Sequence, residues 1–156
     1  MSMKISSPAF KDNDFIPSKY TCEGRNINPA LIIEGIPENA KTLALIMDDP
    51  DAPMGTFVHW VAWNIELADE IHEGIPKEST VNHPISLKQG LNTAEKTGYM
   101  GPCPPVGHGV HHYHFKLYAL DTDLNLPENT KKEDLLKSME GHIIEETELI
   151  GLYKRN

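Results

Sequence analysis

Two runs of the chain hold residue types from which a polar site can be built. Asp48-Asp49-Pro50-Asp51-Ala52-Pro53 places three carboxylates in one short turn. Its two prolines fix φ and push the residues before them away from the helical region, so the carboxylates sit in a stiff frame. Gly101-Pro102-Cys103-Pro104-Pro105-Val106-Gly107-His108-Gly109-Val110-His111-His112-Tyr113 joins a glycine- and proline-rich stretch to a series of histidines. Glycine allows close backbone approach, and imidazoles beside carboxylates suit anion recognition or acid–base work. Each run alone also reads as an ordinary surface turn. Together, residues 49–53 and 101–105 are expected to enclose one small polar pocket.

The elements that would position these groups follow from periodicity. Thr42 to Met47 is a short apolar run that fits a buried strand, and Phe57 to Ile65 reads as a second. On the second, His59 shares an alternating face with Phe57, Val61 and Trp63, which tolerates an imidazole only if it finds a partner. Val110 to Leu120 is the third strand. Its period of two puts His111, Tyr113, Phe115, Leu117 and Ala119 on a core-facing row, and His112, His114, Lys116 and Tyr118 on the other. Residues 66–98 are polar and irregular. Thr130-Lys131-Lys132-Glu133 matches a capping box. The stripe of Leu135, Leu136 and Met139, then Gly141, then Ile143, Ile144 and Ile150 predicts two helices broken near Gly141. Strands first and helices last predict a mainly antiparallel sheet with helices packed at one side.

Length fits a single domain spanning residues 1–156. A net charge of −9 without a concentrated basic run opposes nucleic-acid phosphates and anionic membrane surfaces. The N-terminus lacks the apolar stretch of a secretory signal, and no window is apolar enough to cross a bilayer, so the expected location is cytoplasmic. Cys22 and Cys103 would then remain thiols. His108, His111, His112 and His114 invite a zinc site, but alternation turns His111 away from His112 and His114, and the spacing fits no standard pattern. Neither a metal nor a cofactor is implied.

The combination of Asp-Pro-Asp-Ala-Pro, a His on an apolar strand and Gly-Pro-x-Pro-Pro-x-Gly-x-Gly-x-His-x-Tyr resembles the phosphatidylethanolamine-binding protein family, also called Raf kinase inhibitor-like proteins. The likeness is to its short bacterial and archaeal branch. Tyr20-Thr21-Cys22-Glu23-Gly24, Val58-His59-Trp60, Tyr113 to Asp121, Gly141 to Glu145 and Glu148 to Tyr153 extend it over roughly residues 5–155. The resemblance implies a mainly β fold: a large antiparallel sheet, a second small sheet and peripheral C-terminal helices. It also implies a pocket for phosphate-like anions, with polar groups from Asp49, Asp51, His59, His111 and Tyr113 and walls from Ala52, Pro53, Gly101, Cys103, Pro104 and Pro105. Ala52–Pro53 becomes a candidate cis peptide, and a homodimer is plausible, with Trp60 and Trp63 serving either core or dimer seam. Two imidazoles that become cationic would strengthen anion binding as pH falls. His112 stands where the family often has Arg, and the C-terminus lacks the eukaryotic ligand-gating helix.

The expected role is a non-enzymatic binding protein for a small anion or a phosphorylated head group. A protein-partner regulator, inhibiting a serine protease or a kinase, is the main alternative. A hydrolase would need Asp49 with His59 or His111 as acid–base pair, or a Cys103 thiolate as nucleophile.

Overall fold

The computed structural model describes residues 2–156. Ten strands and one helix follow in chain order: β1 (Lys4–Ser6), β2 (Asp14–Phe15), β3 (Leu31–Glu34), β4 (Thr42–Asp49), β5 (Phe57–Ile65), β6 (Glu70–Ile71), β7 (Thr80–Val81), β8 (Leu87–Gln89), β9 (His111–Leu120), α1 (Lys132–Met139) and β10 (Ile143–Tyr153). Seven strands form a sheet in the order β2-β10-β9-β4-β5-β8-β7, and three form a small one, β1-β3-β6. All pairings are antiparallel except β2 with β10. The fold is therefore mainly β with two sheets, as the resemblance implied.

The large sheet is apolar on both faces, which is why β4 and β5 read as near-continuous hydrophobic runs. One face joins the small sheet in the main core, with Leu45, Met47, Trp60, Phe115 and Leu117 among its residues. The other packs Ala44, Ile46, Val61 and Trp63 under Leu135 and Met139 of α1. Both tryptophans are core residues of this chain.

Three local expectations need correction. The second predicted helix is strand β10, which pairs with β9 from Ile143↔Leu120 to Tyr153↔His111. The adjacent Ile143 and Ile144 suggested a helical stripe, but Leu149, Gly151 and Tyr153 alternate with a period of two, and that pattern wins because β9 offers an open edge. The only α-helix among the described residues is α1, where Leu136 is exposed; its first turn is capped by the Asp134 carboxylate accepting the Lys131 N–H at 3.1 Å, while Thr130 bonds back to Pro127. Lastly, the cis peptide among the described residues is His83–Pro84, so Ala52–Pro53 is trans.

The face assignment on β5 also changes. Between Met47↔Trp60 and Asp48↔Val58 the register slips by one, leaving His59 as the extra residue of a β-bulge. His59 and Trp60 thus both project to the main-core side, whereas Val61 and Trp63 lie on the opposite face. His59 reaches the site because of the bulge, not because of simple alternation.

Candidate functional site

At the end of β4, β5 and β9 a pocket of about 390 Å³ opens to solvent. Asp49, His59, His111 and Tyr113 reach it from these strands. Ala52 and Pro53 wall one side; Gly101, Cys103, Pro104 and Pro105 wall the other. Met54, Gly55, Thr56, Phe57, Thr93 and Met100, not foreseen from the sequence, complete the lining. Among the described residues no lysine or arginine lines it.

The wall at 99–105 is sewn to an N-terminal loop. Tyr99 donates its hydroxyl to the Tyr20 carbonyl at 2.7 Å, and the Gly101 N–H donates to Asn26 Oδ1 at 2.7 Å. A Cβ on Gly101 would fall 2.2 Å from the Tyr20 carbonyl oxygen, so only glycine fits this crossing. Contrary to the expectation of two thiols, Cys22 and Cys103 form a disulfide with Cα atoms 5.4 Å apart. Sequence separation hid the pair: the loop crossing makes neighbours of partners 81 positions apart in sequence.

Asp49 is fully engaged within the protein. Its Oδ1 accepts the Asp51 N–H at 2.8 Å, and its Oδ2 accepts the His111 Nδ1–H at 2.6 Å. The second bond lies almost entirely out of water, with both side chains 4% exposed or less. It sets the orientation and the tautomer of the His111 ring. Asp51, in contrast, does not line the pocket. Its Oδ2 turns outward and accepts both the backbone N–H of His112 at 2.8 Å and its Nδ1–H at 2.7 Å. Partial burial raises the Asp51 pKa, but the His112 hydrogen bonds and charge outweigh it and the net direction is downward. The residue in place of the family's usual Arg is thus what holds Asp51 away.

His59 donates Nδ1–H to the Met100 carbonyl at 2.6 Å, which leaves Nε2 as its free nitrogen. Burial lowers its pKa; the Met100 hydrogen bond and the Asp49 and Asp48 charges oppose this but do not reverse it. His59 is therefore a neutral acceptor and not a second cation, which corrects the expectation of two chargeable imidazoles. Its ring packs edge-on to Tyr113 at 5.2 Å and tilts against Phe57 at 4.7 Å.

The Tyr113 hydroxyl is buried and has no hydrogen-bond partner among the described residues. Burial, then the neighbouring Asp49 charge and an approach of the hydroxyl to that carboxylate too loose to be a hydrogen bond of normal geometry, raise its pKa, so it stays a hydroxyl. An unsatisfied buried hydroxyl costs on the order of 1–3 kcal/mol. His108, weighed from the sequence only as a zinc ligand, places its Nδ1 2.7 Å from His111 Nε2. Its position on an irregular loop gave no parity from which to read its direction.

A sequence model described as phosphatidylethanolamine-binding protein matches residues 6–154. The UPF0098 protein of Pyrococcus horikoshii is 61% identical over 155 residues, covering 99% of this chain and 78% of that one. A phosphatidylethanolamine-binding protein homologue from Chlamydia trachomatis superposes with a TM-score of 0.90 at 40% identity, covering 99% of each chain. YbcL of E. coli, described as a member of the mammalian PEBP family, gives a TM-score of 0.91 at 27% identity over 100% of both chains.

Proposed function

The chain belongs to the phosphatidylethanolamine-binding protein family, and from that premise we propose that it is a non-catalytic binding protein whose pocket takes a phosphate-like anion, free or as the head group of a larger molecule. The observation that carries this reading is the unsatisfied Tyr113 hydroxyl, buried beside His111 in the pocket lining. It supplies a hydrogen-bond donor where a ligand oxygen would sit. His111, held by Asp49, supplies a cation when protonated. His59 supplies an acceptor. A monoanion that keeps at least one proton, such as the phosphate monoanion, satisfies all three: it accepts from Tyr113 and His111 and donates to His59 Nε2. Without a lysine or arginine in the lining, a dianion lacks a permanent counter-charge.

Titrating inorganic phosphate into the protein and into His111→Ala, followed by calorimetry, tests this. We expect binding that weakens from about pH 5.5 to 8 and is lost in the variant. Wild-type protein that binds no phosphate at about pH 6 would overturn the reading.

A second reading, regulation of a protein partner such as a protease or kinase, is favoured by one feature. Met54, Val106 and Val110 are exposed on the two loops that flank the mouth. Protease inhibition relieved by excess phosphate would place the partner at the pocket; inhibition indifferent to phosphate would place it elsewhere. Catalysis has weaker footing, because Cys103 is in a disulfide and the outer nitrogen of His111 faces His108 instead of a hydroxyl nucleophile.

A further inference from the structure

The two ring nitrogens of His111 are both in use. Nδ1 donates to Asp49, and Nε2 lies 2.7 Å from His108 Nδ1. Two imidazole nitrogens at that distance hold one proton between them: either His108 donates, or protonated His111 does. Neither case leaves His111 Nε2–H free for an anion. The buried imidazole on which phosphate binding depends is covered by another imidazole of the same chain.

That cover is movable. His108 is exposed, as are its neighbours from Pro105 to Val110. The flanking Gly107 and Gly109 adopt positive φ of 76° and 96°, with nothing within 4 Å of where a side chain would begin. The backbone is held more firmly than the ring: the Gly107 N–H donates to the Arg155 carbonyl at 2.9 Å, and the His108 N–H to Pro105 at 3.1 Å. Turning the His108 side chain is enough to uncover His111.

We propose that His108 is an exchangeable cap and a second anion ligand: a bound phosphate oxygen takes its place on His111 Nε2, and the displaced, protonated His108 donates to the same anion from the rim. The proposal rests on reading the pocket as a phosphate site. Its logic is a proton count. When both imidazoles carry a full set of protons, the contact between them has two hydrogens and no lone pair, so it breaks. An anion placed between them accepts from both. Binding therefore takes up one more proton than a pocket with His111 alone. The other charged or titratable groups facing the pair are Asp49 from β4, His59 from β5, Tyr113 from β9, Tyr153 from β10, which lies across from His111 and donates its hydroxyl to Glu23, Asp51 with its partner His112, and Arg155, whose Nε–H donates to the Pro104 carbonyl at 2.6 Å. Arg155 commits its Nε–H to the wall and does not line the pocket.

Phosphate titrations of 15N-labelled protein test this. Without phosphate, wild type should show a scalar coupling across the N–H···N bond between His108 and His111, and saturation should abolish it. The phosphate Kd of wild type should rise about tenfold per pH unit more steeply than that of His108→Ala between about pH 6.5 and 8, phosphate's own ionisation being common to both. The two curves should cross, the variant binding less tightly in acid and more tightly in base. His108→Gln, which offers a hydrogen bond but cannot titrate, should show the shallow slope too. A coupling that survives saturation, or parallel slopes while His111→Ala abolishes binding, would overturn the cap and leave the phosphate pocket standing. Absence of phosphate binding in wild type at about pH 6 would overturn both.

Discussion

Tyr113 combines a cost to folding with a use in binding. Replacing it by phenylalanine removes an unsatisfied hydroxyl and keeps the ring packed against His59. We expect Tyr113→Phe to be more stable than wild type by about 1 kcal/mol in chemical denaturation, and to bind phosphate less tightly. His59 makes a different prediction. Its folded-state pKa lies below the ordinary imidazole value, so the unfolded chain takes up a proton first as pH falls. Stability should then decline from about pH 6.5 downward until His59 itself protonates. His59→Asn, which keeps a donor near the Met100 carbonyl but does not titrate, should flatten that decline in thermal melts at successive pH values. Alternation along β9 was enough to identify His111 and Tyr113 from the sequence. Asp51 and His108 were not legible, because each is aimed by one partner, His112 or His111, and a turn carries no period that reveals its partner.

At the scale of elements, two irregularities decide the site. The β5 bulge makes His59 and Trp60 project to one side, so strand residues that simple alternation would separate both serve the same face. The crossing at Gly101 brings the pocket wall against Tyr20. We expect Gly101→Ala to cost about 1–3 kcal/mol through overpacking and to lower phosphate affinity, since the clash is with backbone that cannot swing aside. The strands β4, β5 and β9 were legible because each has a long apolar or alternating run. The strand β10 was not. Its outward Glu146 and Glu148 and its paired Ile143 and Ile144 mimic an amphipathic helix, and only the vacant edge of β9 settles the matter.

For the whole molecule, two sheets share one core, and the disulfide ties the loop at Cys22 to the pocket wall at Cys103. Closing so long a loop restricts the unfolded chain, so reduction, or Cys22→Ser with Cys103→Ser, should lower stability by about 2–4 kcal/mol, read as a drop in denaturation midpoint. The thiol expectation failed because it came from an assumed compartment and not from geometry. Topology adds one more consequence. The strand nearest the C-terminus, β10, is not at an edge: it lies between β2 and β9. A ribosome making this chain presents β9 with one edge, the one not taken by β4, unpaired until residue 153 has left the exit tunnel, and β2, the first-made strand of the large sheet, waits the longest for its partner. The nascent chain thus carries an adhesive strand edge for as long as β10 has not emerged.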